Sequence, residues 1–281
     1  MQTIEIRGSR LAYTVDGSGE PVVMVHCSSA TGSQWSKLRA ALGDGFRCIT
    51  PDQWACGKSD PWRGDSAFTL AEEAAPLIEL LDRLGTPVHL VGHSYGGGVA
   101  LRVARARPQL IRSLTLIEPS TFHLLRHGTA DLQALFEEIA AVAATVTGAV
   151  TSGDYWGGMA RFVDYWNGAG AWEAMPFDAR IKLSQRLAKV VLDFRALFEE
   201  PAVLDDYAAL GLPTLLVCGE NSPGPSRRIV ELLHAALPNA TVVRIPGAGH
   251  MSPLTHAEPV NAAIRDHVMR HVTRSPACAA A

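Results

Sequence analysis

Residues 88–101 read Val88-His89-Leu90-Val91-Gly92-His93-Ser94-Tyr95-Gly96-Gly97-Gly98-Val99-Ala100-Leu101. An apolar run, a G-x-S-x-G turn and a start of small residues follow one another, an order that predicts strand, sharp turn and helix. Gly92 and Gly96 flank Ser94 and let the chain turn where a side chain would clash, which lifts the hydroxyl out of the sheet. The helix beyond would aim its N-terminal N–H groups at the same point, where negative charge develops in acyl transfer. Ser94 is therefore the candidate nucleophile. The bland alternative is a glycine-rich turn with a bystander serine.

Working outward, strands and helices alternate. Thr3–Arg7 and Leu11–Val15 alternate around Gly8-Ser9-Arg10 as a hairpin. Pro21–His26 and Phe46–Thr50 read as strands, Trp35–Leu42 and Leu70–Leu84 as helices. Val88–Val91 is the strand before the turn, Gly97–Ala106 its helix and Ile111–Ile117 the next strand. From about Phe122 to Asp206 strong helix formers dominate, as in Ala130–Ala144 and Ile181–Glu199. The alternation then resumes with Pro213–Cys218, Ser226–Leu237, Ala240–Ile245 and Ala257–His271. An α/β unit interrupted and then completed predicts one mostly parallel sheet flanked by helices and wearing a helical cap. The expected core is 1–121 with 207–274, the cap 122–206, and 275–281 a frayed tail.

A net charge of −3 over 281 residues gives no electrostatic reason to expect nucleic acid or an anionic membrane as partner. No apolar stretch is read as reaching the ~18–20 residues of a spanning helix, and Met1-Gln2-Thr3-Ile4-Glu5 starts a strand, not a signal segment. Cys27, Cys48, Cys56, Cys218 and Cys278 form no C-x-x-C pair, which reads as a reduced, cytoplasmic protein without a structural metal. Without an arginine cluster or a glycine-rich phosphate cradle, no cofactor is expected. The expected partner is a small-molecule substrate, with room for a homo-oligomer.

Ligands of parallel sheets gather at the carboxyl ends of the strands. There stand His26-Cys27-Ser28-Ser29, Asp52, Ser94, Glu118, Glu220-Asn221-Ser222 and His250. His250 lies in the glycine-rich loop Gly247-Ala248-Gly249-His250-Met251, which can bring an imidazole to a serine hydroxyl as general base. His123, His127, His234, His256 and His271 fall in helical or cap segments and read as surface residues.

These pieces resemble the α/β-hydrolase superfamily over nearly the whole chain: His26 with the small residues after it, Asp52 with Gly57-Lys58-Ser59, Gly92–Gly97, and Gly249-His250. The resemblance implies an oxyanion hole made of the Tyr95 N–H and a second N–H from Ser28, or else Cys27. It also implies a triad acid. The commonest aspartate position falls on Ser222, which carries no charge. Glu118, at the other strand end the superfamily uses, is the leading candidate, with Glu220 and Asp205 or Asp206 as alternatives. The sequence departs from the pattern at His26-Cys27 and at Ala55-Cys56-Gly57. Thiol chemistry at Cys27 or Cys56 would lack a neighbouring base.

Tyr155, Met159, Phe162 and Trp166 recur at helical spacing, which more often reports packing than ligand contact. Trp156, Trp166 and Trp172 nevertheless concentrate aromatic surface in the cap. With Phe162 and Cys27 they are the candidate pocket residues. The implied activity is a serine hydrolase that cleaves a small, largely apolar ester or lactone through an acyl-enzyme. Two alternatives stay open: carbon–carbon bond hydrolysis of a diketone, and a ligand-binding protein on this scaffold with little turnover. Dehalogenases and epoxide hydrolases of this superfamily use an aspartate where this chain has Ser94.

Overall fold

The structure, a computed structural model, describes residues 1–6, 8–64 and 67–273. Arg7, the expected end of the first strand, and the expected tail 275–281 with Cys278 lie outside the described residues. The strands are β1 (Gln2–Ile6), β2 (Ser9–Asp16), β3 (Glu20–Val25), β4 (Phe46–Pro51), β5 (Val88–His93), β6 (Ile111–Ile117), β7 (Thr214–Gly219) and β8 (Ala240–Ile245). They form one sheet in the order β1-β2-β4-β3-β5-β6-β7-β8. The β1–β2 and β2–β4 pairs are antiparallel, and all pairs from β4 to β8 are parallel. This is the mostly parallel α/β architecture that the alternation predicts.

The helices of the first half are α1 (Ser36–Leu42), α2 (Leu70–Leu84) and α3 (Tyr95–Ala106). Between β6 and β7 stand α4 (His123–Arg126), α5 (Ala130–Ser152), α6 (Tyr155–Asn167), α7 (Ala171–Ala174), α8 (Phe177–Ser184), α9 (Leu187–Phe198) and α10 (Leu204–Ala208). The chain ends with α11 (Gly224–Ala236), α12 (Ser252–Thr255) and α13 (Ala257–Arg270). The central strands are apolar on both sides because helices cover both faces. Val22 and Met24 of β3 join Leu38, Ile264 and Val268 in one core. Their neighbours Val23 and Val25 join Leu77, Val99, Ile229 and Leu233 in the other, as the two-residue period of a strand requires.

Several expected boundaries need correction. Ile181–Glu199 is not one helix, since the chain breaks at Gln185-Arg186 between α8 and α9. α3 begins at Tyr95 and not at Gly97, so the helix starts directly on the serine turn. α5 continues past Ala144 to Ser152, and within that stretch Thr145, Thr147 and Thr151 return their hydroxyls to carbonyls one turn back, so the polar groups are satisfied inside the helix. It stops at Gly153 with φ 79°. By length and apolarity α5 could cross a membrane, against the reading that no stretch is long enough. Here Ile139, Val142 and Val146 bury one face of it within the main core.

Candidate active site

The turn at Ser94 is set by close backbone approach. A Cβ on Gly92 would lie 2.4 Å from the Gly96 carbonyl oxygen, and one on Gly96 would lie 2.4 Å from those of His26 and Val25. Ser94 itself adopts φ 55°, ψ −118°. Such a conformation persists only when its surroundings over-determine it. Ser94 N–H donates to Ile117 O, and Ser94 O accepts from Gly97, Gly98 and Ser120 N–H.

Two further strand ends converge on this hydroxyl. Ser94 Oγ donates to His250 Nε2 at 2.8 Å, and His250 Nδ1–H donates to Glu118 Oε2 at 2.7 Å. Glu118 is fully buried. Its second oxygen accepts from Gly219 N–H at 2.7 Å and from Ser222 Oγ at 2.5 Å. Burial opposes the charge, but His250, then Ser222 and Gly219, outweigh it and hold the carboxyl below its ordinary range. The other candidate acids are elsewhere. Glu220 is exposed and accepts from Gly247 N–H at 2.9 Å. Asp205 and Asp206 lie in α10, where Asp206 pairs with Arg105.

Of the two candidate loop donors, Cys27 N–H is already engaged, donating to Gln34 Oε1 at 3.0 Å. Ser28 N–H has no partner among the described residues. Tyr95 opens α3, where N–H groups have no partner within the helix. The bond from Cys27 also starts a relay that the sequence does not advertise. Because Cys27 N–H must donate, Gln34 presents its oxygen there and its amide N–H to His93 Nδ1 at 3.0 Å. His93 is then left to donate Nε2–H to the His250 carbonyl at 3.0 Å. Burial pushes the pKa of His93 down to about 3, so the ring is neutral, with one donor and one acceptor as the relay needs.

A second device missed from the sequence is a buried ion cluster behind the same residues. Lys189 Nζ of α9 donates to Asp193 and, at 2.8 Å, to Glu73 of α2. Ser28 Oγ donates to Asp193 at 2.5 Å, and Tyr95 Oη donates to Glu73 at 2.9 Å. Burial opposes the charge on Lys189, but Asp193 and Glu73 overcome it and raise its pKa above the usual lysine range. The i, i+4 spacing of Lys189 and Asp193 could have suggested a surface pair. Nothing in the sequence signals Glu73 as their partner.

Ser94 borders two lobes of unequal size. The outer one holds about 260 Å³ and is lined by Cys27, Met159, Phe162, Trp166, His250 and Leu254, among others. The inner one holds about 20 Å³, between Ser28, Ser94, Tyr95, Ser120, Phe122, Asp193, Phe194 and Leu197, so both candidate oxyanion donors also border it. Trp166 lies over His250 with ring centroids 4.1 Å apart. Cys27, Phe162 and Trp166 thus stand at the site. Trp156 and Trp172 do not. They pack edge-on to each other beside Arg180, Trp172 buried and Trp156 partly exposed, so the concentration of tryptophans there serves packing between helices. His123 is also not at the surface: it is buried between Leu197 O and the Tyr207 hydroxyl. The Cys27 and Cys56 thiols are buried, which pushes each pKa up to about 12 and leaves them inert as nucleophiles. Among the described residues no group of acidic, cysteine and histidine side chains is placed to hold a metal ion.

The family model for the alpha/beta hydrolase fold matches residues 20–257. A cis-3-alkyl-4-alkyloxetan-2-one decarboxylase of Shewanella oneidensis is 37% identical over 120 residues, 42% of this chain and 38% of that protein. Among solved structures, a bromoperoxidase from Bacillus anthracis superposes with a TM-score of 0.76 at 25% identity, over 93% of this chain and 96% of its own. An esterase from Thermogutta terrifontis gives a TM-score of 0.74 at 24% identity, over 97% of this chain and all of its own.

Proposed function

The chain belongs to the α/β hydrolase family, a hydrolase-type enzyme, and on that premise we propose that it is a serine hydrolase of small, largely apolar esters or lactones. The observation that carries this reading is the continuous chain Ser94–His250–Glu118, with contacts of 2.8 and 2.7 Å. Ser94 Oγ attacks the substrate carbonyl carbon and gives its proton to His250 Nε2. Glu118 keeps the other ring nitrogen protonated and balances the imidazolium. The Tyr95 and Ser28 N–H groups receive the oxyanion, each worth roughly 3 kcal/mol in such sites. His250 then protonates the leaving oxygen as the carbon–oxygen bond breaks. A water molecule that loses its proton to His250 releases the acid and restores Ser94.

The largely apolar outer lobe favours an apolar substrate. The reading as a binding protein rested on the missing charge at Ser222, and the Glu118–His250 contact takes that support away. The test is labelling of the folded protein with a fluorophosphonate, alongside hydrolysis of p-nitrophenyl esters and of a diketone. Label on Ser94, with both label and ester turnover lost in Ser94→Ala at unchanged melting temperature, is the expected result. Activity retained in Ser94→Ala would sink the assignment. A diketone cleaved faster than every ester would move the reaction to carbon–carbon bonds.

A further inference from the structure

The two lobes at Ser94 differ in size by an order of magnitude, and only one of them contains the proton donor. In the tetrahedral intermediate the reacting carbon carries four groups. One is Ser94 Oγ, and a second is the oxyanion, directed to the Tyr95 and Ser28 N–H groups. The third, the leaving oxygen, must sit where His250 Nε2 can protonate it. The fourth is the acyl chain, which takes the direction that remains. His250 lines the outer lobe of about 260 Å³ and does not line the inner one of about 20 Å³. The leaving group therefore belongs outside and the acyl chain inside.

We infer that the enzyme is selective for two-carbon acyl groups: it takes acetate esters of larger apolar alcohols. This rests on the serine-hydrolase reading above and narrows it. An inner volume of about 20 Å³, bordered also by the oxyanion donors Ser28 and Tyr95, leaves the acyl chain room for no more than roughly one water-sized group, the size of a methyl on the carbonyl carbon. The walls do not yield readily. Phe122 stacks on Trp166 and on Phe194, and Phe194 packs against Phe198. Leu197 is 3% exposed and comes within 3.1 Å of the position a Cβ on Gly98 would occupy. Added methylenes would have to displace this packing, and cores resist that. The outer lobe, with Met159, Val163, Met175, Leu183 and Leu254 on its walls, has room for an apolar alcohol. Overall, ester and water give acetic acid and the free alcohol: the acyl–oxygen bond breaks, and the alcohol keeps the proton that His250 took from Ser94.

The test compares kcat/KM for two series, p-nitrophenyl acetate, butanoate and octanoate, and acetates of methanol, butanol and benzyl alcohol. The acyl series should fall roughly tenfold or more from acetate to butanoate, and the alcohol series should rise with size. Leu197→Ala should raise the butanoate-to-acetate ratio by roughly tenfold; Phe194→Leu serves if that variant does not fold. Butanoate or octanoate equal to or better than acetate, or a ratio unmoved in the variant that folds, overturns the proposal. If a fluorophosphonate labels Ser94 but acetate is not cleaved, the acyl assignment falls and the serine-hydrolase reading stands. If neither occurs, both fall.

Discussion

Ser222 donates a 2.5 Å hydrogen bond to Oε1 of Glu118, the carboxylate whose other oxygen accepts from His250. The position where an aspartate commonly stands in this family thus holds the acid in place without being it. Ser222→Ala removes a hydrogen bond to a buried charge, which should cost about 1.5–3 kcal/mol in urea unfolding. Ser222→Asp should be worse than alanine at neutral pH, because two carboxylates in contact cannot both ionise. An aspartate variant as stable as the parent would contradict this geometry.

Glu118→Gln keeps the size of the side chain and loses its charge. Esterase kcat should drop by roughly 10³–10⁴, as for the acid-to-amide change in other triads. Glu220→Gln is the control, since Glu220 only accepts from Gly247 N–H in an exposed loop. Its turnover should stay within a few-fold of the parent. Reversal of the two results in steady-state kinetics would move the acid to Glu220.

Lys189→Met should be strongly destabilising. It strands Glu73 and Asp193, which are 2% exposed each, and breaking a buried pair from one side costs roughly 3–5 kcal/mol. Because Ser28 and Tyr95 bond to the same carboxylates, kcat should fall more than KM rises in whatever fraction folds. A loss confined to stability would show that the cluster does not position the oxyanion donors.

Stability should also fall on acidification well before the carboxylates titrate. Burial lowers the pKa of His26, His89, His123 and His267 to about 4 and that of His93 to about 3, from an ordinary 6.5. The unfolded chain therefore takes up protons that the folded chain refuses. Their full contribution is present above pH 6.5 and is lost progressively between about 6.5 and 4. Urea midpoints measured from about pH 8 to about pH 5 should show this decline, and a flat profile would refute it.

Much of the fold was legible because its signals are local. The glycines around Ser94 and the apolar runs at Leu90 and Leu114 state turn and strand within a few residues. His250 was legible for the same reason, at a strand end in a glycine-rich loop. Glu118 was harder: a carboxylate before Pro119 looks like an ordinary strand terminus until Gly219, Ser222 and His250 are seen around it. Glu73, Lys189, Gln34 and His93 were not legible, because their meaning lies in partners between 59 and 157 residues away. Trp156 and Trp172 show the opposite failure, where a concentration of aromatic residues says nothing about which of them meets the site: Trp166 does, while these two pack on each other.

The relay from Cys27 N–H through Gln34 and His93 to the His250 carbonyl has a direction imposed at both ends by the backbone. Its middle members must each both accept and donate. A glutamate at 34 would accept from Cys27 but could offer His93 no proton, so the ring would have to reverse its tautomer or become charged while buried. Positions 34 and 93 are therefore free to vary only as a pair. The unspecified residue between glycine and serine in the G-x-S-x-G turn is, in this chain, specified by a glutamine 59 positions earlier, whose amide fixes its tautomer.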